Sequence, residues 1–264
     1  MLIARIAPPK SSLYKRMAEK VKSLDKFMSY KPVTWFGFWT VFVSGMAAFG
    51  GSLDRYHYWD WSHWLVGTLS LIVITFILSV FLLKPERITF EEKSLTVKKS
   101  IQFALIGAIL FLLGWGANPM KGFIPLIPYL TTYLALAFVH TVSIEKNAKT
   151  EKSNIVSSEV RIQRLGISLA LMSIGLIVGS WLDDPVISTA IAVSLPFLII
   201  ALLMKHVRHL QRARFYPIFI MAMFVSMREP WFLILLGVLF YSLRFYHYFR
   251  YEIIYPTFGV EMDE

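Results

Sequence analysis

The chain contains no cysteine. Structural disulfides, thiolate metal centres and cysteine nucleophiles are therefore excluded. Charge is scarce too: 17% of the 264 residues are Asp, Glu, Lys or Arg, against about a quarter in a typical soluble domain. Long stretches carry none. Leu65 to Leu83, "LVGTLSLIVITFILSVFLL", is nineteen uncharged residues, enough to cross the hydrocarbon core of a bilayer as a helix. "DPVISTAIAVSLPFLIIALLM", beginning at Asp184, is a second such run. No ionisable group lies securely inside any apolar segment, which disfavours proton pumps, ion-coupled carriers and voltage sensors. The six histidines are scattered, unlike the clusters of membrane desaturases and oxygenases. The first 31 residues also lack the sustained apolar stretch of a secretory signal, so the first span is expected to target the chain.

What the sequence has in abundance is hydrophobicity, at 56% of residues. Eight apolar segments stand out, at 34–51, 64–83, 101–117, 122–142, 165–181, 185–204, 215–227 and 230–247. The expected fold is an all-α polytopic transmembrane bundle of about eight spans over 32–247. A basic segment, 1–31, precedes it and a tail, 248–264, follows. In 1–31, Leu13, Met17, Val21 and Leu24, with Phe27 or Met28, recur at helical spacing between lysines, as in an amphipathic helix lying on the inner membrane face. The seventh segment, "FYPIFIMAMFVSM", is short and carries a proline; a re-entrant hairpin with the eighth is the alternative to a span.

Charge position orients the bundle. With the N-terminus inside, only Arg55, Lys121 and Arg228 of the 27 lysines and arginines fall outside. The positive-inside rule then places both termini in the cytoplasm. A bacterial inner or photosynthetic membrane is the expected location, on family resemblance and not on charge. The spans pair into four hairpins whose outer links are "GGSLDRYHYWDWSH", "GANPMKG", "WLDDP" and "MREP". Glycines 45, 50, 51, 107, 114, 116, 166, 175 and 179 mark expected seams of close helix contact.

The outer link "DRYHYWDWSHW", Asp54 to Trp64, concentrates rings and polar groups. Arg55, His57, Trp59, Trp61, His63 and Trp64 are candidates for contact with a ligand or partner. Tyr and Trp favour the membrane boundary, so an aromatic belt or protein interface is the leading reading. The two histidines and two aspartates match no familiar metal template, and no metal is expected. Trp35 and Trp39 in the first span, and Arg244, His247 and Arg250 near the end of the last, complete the set. Among the inner links, Glu86, Glu91, Glu92, Glu145 and Glu151 are the carboxylates a magnesium–diphosphate site would need to gather. They are interspersed with lysines, as in a solvated loop. No nucleic-acid module is present.

"YKPVTWFGFWTVFVSGMAAFGG", from Tyr30, resembles the first membrane helix of chlorophyll and bacteriochlorophyll synthases, intramembrane prenyltransferases of the UbiA superfamily. Lys31, Pro32, Thr34, Trp35, Phe36, Trp39 and Gly45 carry the likeness, and "WLVGTLSL" from Trp64 resembles the next helix. The resemblance implies a degenerate UbiA-like helical scaffold and contact with a chlorin or an isoprenoid. The superfamily's first aspartate-rich motif should end the second span, where this chain reads "ILSVFLLKPERITFEEK", and residues 143–164 contain no aspartate. Loss of the carboxylate–magnesium clamp removes the main stabilisation of a leaving diphosphate.

The expectation is therefore a non-catalytic integral membrane accessory subunit or assembly factor of a photosynthetic or other pigment–protein complex. Its expected partners are other integral membrane proteins and membrane lipids, with chlorophyll, bacteriochlorophyll, carotenoid or quinone as bound molecule. A divergent UbiA-type prenyltransferase and a small-solute transporter are the alternatives.

Overall fold

The computed structural model describes residues 2–28, 32–82, 96–116, 123–142, 144–146, 153–155, 158–205 and 207–253. Three short helices open the chain: α1 (Leu2–Ile6), α2 (Ser12–Lys22) and α3 (Asp25–Met28). The hydrophobic part comprises α4 (Pro32–Leu53), α5 (Trp64–Ile77), α6 (Val97–Gly114), α7 (Ile127–Val139), α8 (Ser158–Trp181), α9 (Pro185–Leu203), α10 (Val207–Val225) and α11 (Trp231–Tyr251). A π-helical turn, Leu78–Leu82, prolongs α5, and a 3-10 turn, Ile124–Leu126, leads into α7. Between α7 and α8, strands β1 (Ile144–Lys146) and β2 (Ser153–Ile155) pair antiparallel.

Proline sits where helices start. Pro32 opens α4 and Pro185 opens α9, positions whose N–H has no intrahelical acceptor in any case. Thr96 caps α6 by accepting from the Lys99 N–H at 3.3 Å. The protein is an all-α, multi-spanning membrane-helix bundle: α4, α6, α8, α9 and α11 are long and apolar enough to cross a membrane, while the apolar helices at 64–80 and 124–139 are shorter.

Helices cover all eight apolar segments, but the seventh differs from expectation. It starts earlier than expected, because α10 begins at Val207 and runs unbroken through Pro217 to Val225. The expected polar link 205–214 is thus mostly helix. Arg214 and Gln211 are buried on it, and the Arg214 guanidinium donates to the Val142 carbonyl just beyond α7. Arg161 does the same from α8, reaching the Ala201 carbonyl in the last turn of α9 at 3.2 Å. Helix ends leave such carbonyls unpaired, so a guanidinium answers a real deficit there.

Helices α4, α6, α7, α8, α9 and α10 touch in chain order, and α10 closes the circuit on α4. Helix α5 packs against α4 from outside and keeps only Gly67, Leu71 and Ile74 buried. Helix α11 lies against α10 and α4 and extends toward α2. The glycine seams are partly as expected. Gly45 and Gly114 bring α4 and α6 together so tightly that a Cβ on Gly45 would strike the Phe111 carbonyl, and one on Gly114 the Phe42 carbonyl. Gly175 meets the Thr131 and Thr132 hydroxyls. Gly166 faces open space, and Gly107 has only Val41 nearby; neither makes a close seam.

The N-terminal segment makes a contact that its own periodicity does not show. α2 buries Tyr14 and Val21 in a cluster with Tyr246, Tyr248 and Phe249 of α11, while Leu13 and Leu24 stay exposed. The Tyr14 hydroxyl donates to the Tyr248 carbonyl at 3.1 Å, and the Tyr248 hydroxyl to the Ala7 carbonyl at 2.5 Å. Of the tail 248–264, α11 takes residues up to Tyr251; 254–264 lie outside the described residues.

Gly45→Ala should lower stability by about 1–3 kcal/mol, because its methyl meets backbone rather than a side chain that can turn away. Gly166→Ala, facing space, should be neutral or stabilising by up to about 1 kcal/mol. Thermal melting of the two variants in detergent compares them directly.

Candidate functional site

Three outer turns converge at one end of the bundle. Asp184 caps α9 by accepting from the Val186 N–H at 3.2 Å. Its other contacts are the Arg228 guanidinium at 3.1 Å and the Tyr129 hydroxyl at 2.8 Å. Arg228 is 1% exposed. It also donates to the Ala47 carbonyl of α4 at 3.2 Å and stands 5.9 Å from the Tyr58 ring. Gly51 leaves the guanidinium its room, since a Cβ there would run into it. Beside this pair, Arg55 of the first turn forms an ion pair with Asp183 of the third. α4, α7, α9, and the α10–α11 turn are thus tied together by one buried cation and its carboxylate.

The 54–63 link folds over this knot. Its aspartates build turns: Asp54 accepts from the Tyr56 N–H at 2.9 Å, and Asp60 from the Ser62 N–H and hydroxyl, each at 2.8 Å. These bonds, the backbone one foremost, hold the Asp60 carboxyl below the usual range. Such local capture is what short polar side chains do in turns. His57 approaches Asp60 at 3.1 Å, and His63 stands 3.8 Å from Asp60 and 4.0 Å from Glu229. Among the described residues, no group of three or more His, Asp or Glu is placed to hold a metal ion. Trp59, in the left-handed region at φ 58°, donates its N–H to the Met227 carbonyl at 2.9 Å and pins the link to the last turn. Its ring, with those of Trp61 and Trp64, is exposed. Trp61 and Trp64 line a groove of about 410 Å³ with Trp231, between α5 and α11.

A second feature lies among four helices of the circuit. α4, α6, α7 and α10 border a half-open cavity of about 120 Å³, lined mainly by Phe38, Val41, Phe103, Leu136, Phe215 and Ile218. Its polar rim consists of Thr34, Thr40, Tyr133 and His140. The Tyr133 hydroxyl pairs with that of Ser44, and His140 Nδ1 lies 2.8 Å from the Leu136 carbonyl. His140 therefore caps α7 as well as lining the cavity.

The other expected residues divide by role. Trp35 is buried 6.2 Å from the Phe38 ring, and Trp39 donates from Nε1 to the Thr75 hydroxyl at 2.8 Å, joining α5 to α4. Arg250 pairs with Asp25 at 3.1 Å, while Tyr246 donates to the same carboxylate at 2.8 Å. The Tyr246 bond first, then Arg250, holds Asp25 below the usual carboxylate range. Arg244 stands 5.8 Å from the Phe240 ring, and His247 among Tyr246 and Tyr251. The expected set thus splits between two ends and a mid-bundle wall; it does not form one site. Glu86, Glu91, Glu92 and Glu151 lie outside the described residues, as does His206, and of Glu145 only the backbone, in β1, is described. The sequence reading missed Tyr129, Tyr133, Ser44 and Glu229; the i, i+4 spacing of the two tyrosines was the available signal.

No family model, curated protein or solved structure matches the chain.

Arg228→Ala would leave Asp184 without its cation and should cost about 3–5 kcal/mol. The double variant Arg228→Met/Asp184→Leu should recover part of that loss, which a double-mutant cycle by thermal denaturation resolves. Glu229 provides a pH test. It is buried beside Trp231, whose Nε1 donates to it at 2.8 Å, and burial raises its carboxyl above the ordinary range. Its contribution is fully present below about pH 4.3, the unfolded value, and is lost as pH rises through the raised folded value. Glu229→Gln should therefore raise the melting temperature at pH 8, with the gain shrinking toward pH 5.

Proposed function

We propose that this polytopic membrane protein is a non-catalytic accessory subunit or assembly factor of a pigment- or quinone-bearing membrane complex, with both termini cytoplasmic. Its bound molecule is a chlorin, carotenoid or quinone whose hydrocarbon portion occupies the α4–α6–α7–α10 cavity. The observation that carries this reading is the character of that cavity: an apolar wall with a few hydroxyls and one histidine at its rim. Such a wall offers a hydrocarbon chain close van der Waals contact, and scattered hydroxyls suffice to orient a carbonyl or ring. Thr34, one of the residues carrying the prenyltransferase resemblance, lines this cavity, and Trp35, Phe36, Trp39 and Gly45 lie on the same helix. A shared scaffold with that superfamily is accordingly part of the proposal. Partner contact is assigned to the exposed tryptophans of the 54–64 link and to the exposed side chains of α5, among them Leu65, Leu69, Ile72 and Phe76.

The buried charges support a structural rather than a transport role. Arg161, Arg214 and Arg228 each donate to a backbone carbonyl of another segment near a bundle end, so each serves a structural contact. A solute pathway would need polar groups at mid-membrane.

Native purification in mild detergent, followed by mass spectrometry and an absorption spectrum, should recover a lipophilic organic molecule or a stable membrane-protein partner. Gly107→Leu, which fills the cavity from α6, should reduce the recovered ligand at least tenfold, a change equivalent to about 1.4 kcal/mol, while leaving the melting temperature close to that of the parent. A monomer carrying neither ligand nor partner would overturn the proposal.

A further inference from the structure

Helix α2 has three stripes, and the structure assigns two of them. Tyr14, Ala18 and Val21, at i, i+4 and i+7, face α11, where Tyr14 and Val21 are buried. Asp25, just beyond, continues the line and holds Tyr246 and Arg250. Lys15, Glu19, Lys22 and Lys26 form a second stripe of mixed sign, exposed to solvent. The third stripe is Leu13, Arg16 and Lys20, continued past the helix end by Leu24, with Met17 on its border packed against the α11 cluster. Leu13 is 45% and Leu24 46% exposed, Arg16 and Lys20 are exposed, and Met17 is half-buried. Ile6 of α1, 63% exposed, lies in the adjoining segment.

We infer that this third stripe is a binding face for anionic phospholipid headgroups at the membrane surface. Three observations fix the occupant. The stripe carries two cations and no acid, so its complement is negative. Its aliphatic tips are large and exposed, which an aqueous surface disfavours and a headgroup–acyl boundary accepts. The clamp on Tyr246, Tyr248 and Phe249 places the helix at the end of α11, where a span leaves the bilayer. Arginine and lysine can lay their stems along the leucines while their charged ends meet phosphate. The α11 clamp makes the face pre-formed: Asp25, Tyr246 and Arg250 set which side of α2 points away from the bundle.

This inference stands apart from the proposed cavity ligand, and its test does not involve that ligand. The full-length protein is reconstituted in nanodiscs of phosphatidylcholine with or without phosphatidylglycerol, and lipids retained after extraction are counted by native mass spectrometry. Arg16→Gln/Lys20→Gln should weaken phosphatidylglycerol retention roughly thirtyfold, at about 1 kcal/mol for each cation near an anionic surface. Lys15→Gln/Lys22→Gln removes the same charge from the neighbouring stripe of the same helix and should retain the lipid. Glutamine keeps the helix in all four positions. Equal loss in both variants would reduce the face to general attraction by a basic segment, and no loss in either would show that headgroups do not occupy it; either result overturns the inference.

Discussion

The architecture depends on one buried ion pair. Arg228 and Asp184 sit where the turns of the third and fourth hairpins meet, and each has more than one duty. Asp184 caps α9, pairs with Arg228 and accepts from Tyr129. Arg228 reaches back to the Ala47 carbonyl of the first long helix. In lipid, helices gain little from burying apolar surface against each other, because the tails outside are just as apolar. Fixed polar contacts at the ends therefore decide which helices are neighbours. Removing either partner leaves the other charge desolvated, and this couples the separate hairpins far more strongly than an exposed pair would.

Close packing does the remaining work in the middle. At Gly45 and Gly114 two backbones meet directly, and the paired absence of side chains lets α4 and α6 approach each other. Where α4 and α6 instead turn toward α7 and α10, bulkier residues hold the helices apart and the cavity appears. Gly107 lies two turns before Gly114 on the same face of α6, where its nearest neighbour is Val41 of α4 at 3.9 Å. The helices that touch backbone to backbone at Gly114 thus stand further apart at Gly107, where the cleft lies.

Much of this was readable from residues alone, and the failures have physical causes. Apolar runs located the five helices long and apolar enough to cross a membrane, because few alternatives satisfy a buried backbone in lipid. Arg55 and Arg228 were recognisable as exceptions to the charge asymmetry, yet their partners were not, since "WLDDP" reads equally well as an ordinary polar turn. The seventh helix was misjudged because hydropathy stops at the first arginine. Arg214 remains helical and buried by donating to the Val142 carbonyl, a contact 72 residues away that no local pattern encodes. The α2–α11 contact was missed for a related reason. Periodicity shows that a helix has an apolar side, whereas the burial of Tyr14 and Val21 rests on aromatic residues at the other end of the chain.

Those aromatic residues complete the logic of the two ends. At one, a buried arginine and a half-buried aspartate are brought together by short turns. At the other, the charges that matter stay near the surface, and hydroxyls and rings make the buried contacts: Tyr14 and Tyr248 each donate to a backbone carbonyl across the α2–α11 junction. A tyrosine buries an apolar ring while its hydroxyl still satisfies a carbonyl, so it can hold an amphipathic helix against a span without desolvating a full charge. The junction is thus the less costly of the two to open, and the ionic knot the more rigid. A bundle locked at one end and lightly clasped at the other concentrates its scope for movement on the side where its basic residues gather.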